Sequence, residues 1–143
     1  MALSLKKLAE QMRDIDTCML GTHTAGGTMG ARPMSNNREV SYDGTAYYFT
    51  WKNSRMARDI GRDNTVLVTY QGKSGFWVSV QGRASVSTDR ALMEEHWDPD
   101  VERWFEQGLD TPGIAMLVVE ATRISYWSFE DGDGQITPKA RKR

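Results

Sequence analysis

Between Phe76 and Val86 the chain alternates with a period of two. Successive side chains of a strand point to opposite sides of a sheet, so Val78, Val80, Gly82, Ala84 and Val86 share one face and Trp77, Ser79, Gln81, Arg83 and Ser85 the other. The first face is small and apolar and belongs to a core. The second is polar but carries a tryptophan, which leaves three uses open: plain solvent, a ligand wall, or a subunit interface.

Other strand-like runs sit around this one at hairpin spacing. Thr17 to Thr24 leads through Ala25-Gly26-Gly27 to Met29–Ser35, then to a short run near Val40. The turn Tyr42-Asp43-Gly44 precedes Ala46 to Thr50, and Thr65 to Tyr70 joins the long strand through Gly72-Lys73-Ser74-Gly75. A last strand runs from Ile114 to Trp127. Helices are fewer. Leu3, Leu5, Leu8, Met12 and Ile15 recur at helical spacing, a short helix starts near Ser54, and Asp89 to Trp97 is helical by composition. Asp98-Pro99 caps a further expected helix reaching about Gln107. Strands outnumbering helices at this spacing predict a mainly β fold, an antiparallel barrel with flanking helices. One domain is expected over residues 1–130, with a flexible charged tail over 131–143.

The 143 residues can bury roughly 68–70% of the unfolded-chain surface, enough for a self-sufficient core. Eighteen Lys and Arg against 19 Asp and Glu leave no global charge for nucleic acid or an acidic substrate. The single cysteine, Cys18, excludes an internal disulfide, and with only His23 and His96 it builds no metal site. No run approaches the ~20 apolar residues a bilayer span requires. The expected setting is the cytoplasm.

Residues 47–64, YYFTWKNSRMARDIGRDN, change from an aromatic strand to a charged helix. The join is Trp51-Lys52-Asn53-Ser54-Arg55. Two readings compete there. In one, Asn53 or Ser54 caps a helix and Arg55 and Arg58 form its solvated face. In the other, free N–H groups at a helix start, with cations beside them, hold an anion.

The string Tyr48 to Arg55 resembles the phosphate-binding stretch of the pyridoxamine 5'-phosphate oxidase-like, flavin-binding split barrels, where an aromatic-Thr pair and a short turn precede Ser-Arg. Ala31-Arg32-Pro33-Met34-Ser35 resembles that family's upstream arginine-bearing strand. Trp77 to Ala84 resembles its V-x-V-x-G-x-A strand, and Ile124-Ser125-Tyr126-Trp127 its closing strand. The resemblance spans about residues 5 to 129 and is nearest to the small bacterial general stress proteins.

That resemblance implies a split barrel binding flavin mononucleotide (FMN), or the dinucleotide FAD. Ser54 and Arg55 would seat the phosphate, with the planar arginine fork gripping two oxygens at once. A second basic residue commonly follows that arginine in the family, whereas this chain has Met56; Lys52 or Arg32 would supply the charge. Phe49 and Thr50 would lie along the isoalloxazine, Arg32, Pro33, Met34 and Ser35 would line the facing strand, and Trp127 would cover the ring. Ser79 and Gln81 would reach it from the same or a second subunit, since the family usually forms a two-fold dimer with flavins between subunits. The implied activity is flavin-dependent redox chemistry linked to stress, with a nicotinamide donor and no side chain as nucleophile or base. The family's pyridoxal-phosphate-forming oxidases carry Arg-x-His near the C-terminus; here Ser128 to Gly134 stands instead and disfavours that role. Two alternatives belong to other classes: a flavin carrier or sensor without turnover, and a nucleic-acid binder acting through the basic end Lys139, Arg141, Lys142 and Arg143.

Overall fold

The computed structural model describes residues 2–37 and 42–138. Its elements run α1 (Leu5–Arg13), β1 (Thr17–His23), β2 (Met29–Ser35), β3 (Thr45–Trp51), α2 (Arg55–Arg62), β4 (Thr65–Gln71), β5 (Phe76–Ser87), α3 (Arg90–Glu95), β6 (Ile114–Ser128) and β7 (Gly132–Ile136). The seven strands form one antiparallel sheet in the order β2-β1-β4-β5-β6-β3, with β7 also paired to β6. At the two ends of that order β2 and β3 come close without a ladder between them, so the sheet curls into a barrel open along one seam.

The alternation in β5 does what its pattern predicts. Val78, Val80 and Ala84 are buried in the barrel core, while Gln81, Arg83 and Ser85 are exposed. Helix α1 covers the core with Leu8 and Met12, and α2 adds Met56 and Ile60. A second apolar cluster lies outside the barrel, where Met93, Val101 and Phe105 pack on Tyr47, Phe49, Ile114 and Met116. Strand β3 is therefore buried on both faces: Tyr48 enters the barrel, and Tyr47 and Phe49 enter the outer cluster.

Two expectations change. The helix expected after Asp98-Pro99 is instead a pair of short 3-10 turns, Pro99–Val101 and Gly108–Asp110, joined by turns that point Val101 and Phe105 into the outer cluster. Part of the stretch expected as a tail over 131–143 is instead a strand, since Gly132–Ile136 pairs with β6. The run near Val40 and the basic residues from Lys139 onward lie outside the described residues.

Inside the barrel Tyr48 and Tyr70 share a hydrogen bond between their hydroxyls, and Cys18 donates its thiol to the Met34 carbonyl at 3.7 Å. Burial pushes the Cys18 thiol up from 9.0 to about 11, and holds both tyrosine hydroxyls well above the ordinary phenol range. Each group is favoured neutral in the folded state. The stability this confers is present below the unfolded-chain values and is lost as pH climbs from about 9 towards 11. Urea midpoints are expected to hold between about pH 6 and 8 and to fall above about pH 9. At pH 8 Cys18 should resist an aromatic disulfide reagent until the protein unfolds; reaction at the unfolded rate would contradict this cluster.

Candidate functional site

The strand-to-helix join forms as a capped helix start. Ser54 has extended backbone angles, φ −78° and ψ 160°, and its Oγ accepts from the Ala57 N–H at 3.1 Å. The Ser54 carbonyl accepts from Arg58 N–H at 3.2 Å, and Arg58 turns its guanidinium back to the Asn53 carbonyl at 3.0 Å. Among the described residues the N–H groups of Asn53, Arg55 and Met56 find no acceptor, and neither the Lys52 nor the Arg55 side chain has a hydrogen bond or ion pair. Lys52, Asn53 and Arg55 are exposed. The cap and the anion seat are compatible, because a hydroxyl that accepts through oxygen still has its own proton to donate.

Met56 settles where no second cation stands. It is buried in the barrel core, so the position after Arg55 points inward rather than towards the open helix end. Arg32 is brought to the same helix by a different route. It sits on β2 opposite Leu20, donates to Thr22 Oγ1 at 2.8 Å, and stands 3.6 Å from the Asp59 carboxylate on α2. With 26% of its side chain exposed, it is held but reachable.

The remaining residues divide. Pro33 is exposed on the edge strand β2, Ser35 is half-buried, and Met34 is core. Thr50 is buried at the end of β3 with no hydrogen bond to its hydroxyl among the described residues. Phe49 departs from the expectation of a side chain along a flavin ring: it is turned into the outer cluster, edge-on to Trp97 at 5.1 Å and to Phe105 at 6.3 Å.

Ser79, Gln81 and Trp127 lie elsewhere. Trp127 pairs with Trp77 across β5 and β6, and both line a cleft with Met19, Thr69, Lys73 and Ser79 on the outer face of the sheet. Thr50 pairs with Ala115 of β6, and Trp127 follows twelve residues further along that strand, a contour of about 40 Å. Trp127 is 44% exposed and Phe129, edge-on to Trp77, is 81% exposed. Arg32, Ser54 and Arg55 thus gather around α2 within one chain, and the Trp127 group forms a separate surface.

Asp59, Thr22 and Arg62 were not singled out from the sequence. A signal for them exists: Met56, Asp59 and Ile60 fall at one helical face, and a carboxylate in an apolar stripe demands partners.

A barrel split along one seam, with a capped, cation-flanked helix start beside it, defines a split-barrel domain. The chain belongs to the pyridoxamine 5'-phosphate oxidase like family, whose model matches residues 4–142. Among curated proteins it is 31% identical over 98 residues to general stress protein 26 of Bacillus subtilis, covering 65% of this chain and 69% of that protein. It is 26% identical over 88 residues to protein bli-3 of Neurospora crassa, covering 55% of this chain and only 42% of that longer relative. The solved general stress FMN/FAD binding protein of Xanthomonas citri superposes with a TM-score of 0.74, at 24% identity, covering 96% of this chain and 95% of the other. That likeness fixes the fold as the split barrel. Among the described residues no helix is long and apolar enough to cross a membrane.

Proposed function

We propose that the protein binds a flavin, FMN or FAD, with its phosphate at the start of α2, and that it acts in the cytoplasm as a flavin-dependent oxidoreductase in stress physiology. The observation that carries this reading is the set of uncommitted donors there: three N–H groups, Lys52 and Arg55. A phosphate brings about two negative charges, which such donors and the helix dipole receive favourably. Ser54 donates its hydroxyl proton and Arg55 its fork, while Lys52 and Arg32 replace the charge that Met56 does not provide. Pro33, Met34, Ser35, Phe49 and Thr50 border the seam through β2 and β3, where the Thr50 hydroxyl and the strand backbones offer polar contacts to a ring edge.

Bound flavin supplies hydride or single-electron transfer, and the chain supplies orientation and exclusion of water. No side chain is assigned as nucleophile or base. Pyridoxamine phosphate is set aside as substrate, and a nicotinamide donor is the proposed reductant. A carrier or sensor without turnover is the second reading, with which the same uncommitted donors are equally compatible.

Trp127, Ser79 and Gln81 enter this site from a second copy. The distance of Trp127 along β6 from the β3 end supports that arrangement, as does the surface formed by half-buried Trp77 with exposed Trp127 and Phe129, which a partner would cover. Protein purified without added cofactor is expected to be yellow, to release flavin on denaturation, and to sediment near twice its chain mass at micromolar concentration. A colourless protein that takes up no added flavin sinks the flavin reading. A strictly monomeric protein that binds flavin tightly sinks the shared site. Reduction by a nicotinamide donor, then reoxidation by an acceptor, separates enzyme from carrier.

A further inference from the structure

Asp59 has 1% of its side chain exposed and lies in the apolar face of α2 between Met56 and Ile60. Arg62 donates to its Oδ1 at 2.6 Å, Thr22 donates its hydroxyl to Oδ2 at 3.1 Å, and Arg32 Nη2 stands 3.6 Å from Oδ2. Arg32 also donates through Nη1 to Thr22 Oγ1 at 2.8 Å and to the Leu20 carbonyl at 3.4 Å. Thr22, fully buried, uses its one proton on Asp59 and a lone pair on Arg32. The guanidinium of Arg32 is thereby held from β1 and from α2 at once.

Two features exceed what the packing of α2 requires. One arginine would neutralise the carboxylate; the second leaves the cluster with a surplus positive charge at a partly open position. An arginine free in solvent also loses its rotamer freedom when it grips an anion, and that loss opposes binding. Arg32 has already lost that freedom. Its remaining N–H groups are presented in a fixed plane.

We propose that Asp59 is a positioning residue for the phosphate-bearing ligand, acting through Arg32: it sets the plane in which that guanidinium meets the anion, with Thr22 as the bridge between them. The inference rests on the flavin reading above, with FMN and riboflavin as the probes.

Affinities for both are measured by fluorescence quenching in wild type, Asp59→Asn, Arg32→Ala and the double variant, with folding followed by circular dichroism. Asp59→Asn is expected to weaken FMN binding about tenfold in the wild-type background and less than about twofold in the Arg32→Ala background, the non-additivity of residues acting through one another. Riboflavin, lacking the phosphate, should change less than about twofold throughout. Thr22→Val, close in shape, should cost FMN about threefold and be silent once Arg32 is gone; it decides alone if Asp59→Asn does not fold. Equal losses for FMN and riboflavin would mean that Asp59 only pins α2 to the barrel, and an undiminished loss in the Arg32→Ala background would mean that it acts by another route. Either overturns the proposal while leaving flavin binding intact. A wild type that binds neither probe overturns the flavin reading and this proposal together.

Discussion

Arg55→Ala is expected to lower FMN affinity about ten- to hundredfold, the loss of a charge-assisted contact of roughly 1.5–3 kcal/mol. Riboflavin affinity should stay within about twofold, because it has no phosphate to lose. The fold should survive, since Arg55 is exposed and its side chain has no hydrogen bond or ion pair among the described residues, and the cap at Ser54 accepts from Ala57 without it. Titration of both ligands by fluorescence quenching checks the result. An equal loss for the two flavins, or no loss for either, would place the phosphate away from α2. The first outcome would leave Arg55 a contributor to local structure, and the second a solvated surface residue.

Gly82→Ala is expected to destabilise the protein by about 1–3 kcal/mol, seen as a fall in Tm of roughly 3–10 °C. Gly82 sits where the β5–β6 register shifts, and a Cβ there would stand 2.6 Å from the Glu120 carbonyl oxygen and 3.1 Å from the Val119 side chain. A backbone oxygen inside a ladder cannot swing aside as a side-chain tip can, so the two long strands must part. Gly26→Ala is the control, with nothing within 4 Å of the added carbon. It should change stability by less than about 0.5 kcal/mol. Equal effects at the two positions would show that loss of glycine flexibility, rather than close approach, governs both.

The sheet was legible because alternation leaves a mark on one strand at a time. Val78, Val80 and Ala84 announce β5 without knowledge of any neighbour, and Met29–Ser35 was placed to the residue. Strand β7 was not legible, since Gly132-Asp133-Gly134-Gln135 has no apolar face and owes its conformation to the free edge of β6. The stretch from Pro99 to Gln107 has helical composition, but the spacing of its two anchors, Val101 and Phe105, against the back of β3 prevailed. The helix start at Ser54 and Arg55 could be read from the sequence because a helix start is a local event. The tie between Arg32 and Asp59 could not, for it joins residues on two elements that only the closed barrel brings together. Phe49 shows the converse: its neighbours in sequence point to a ligand, yet the outer cluster claims its side chain.

Strand β3, walled by apolar side chains front and back, has no free face on which to relax, although its edge along the seam is unpaired among the described residues. A larger or smaller side chain at Met93, Val101 or Phe105, which pack on the outer face of β3, is therefore expected to press or slacken the strand at Phe49 and Thr50. The segment between Arg90 and Asp110 works as a mould behind the site. In the flavin reading, ligand preference would drift through changes in this segment that touch no ligand.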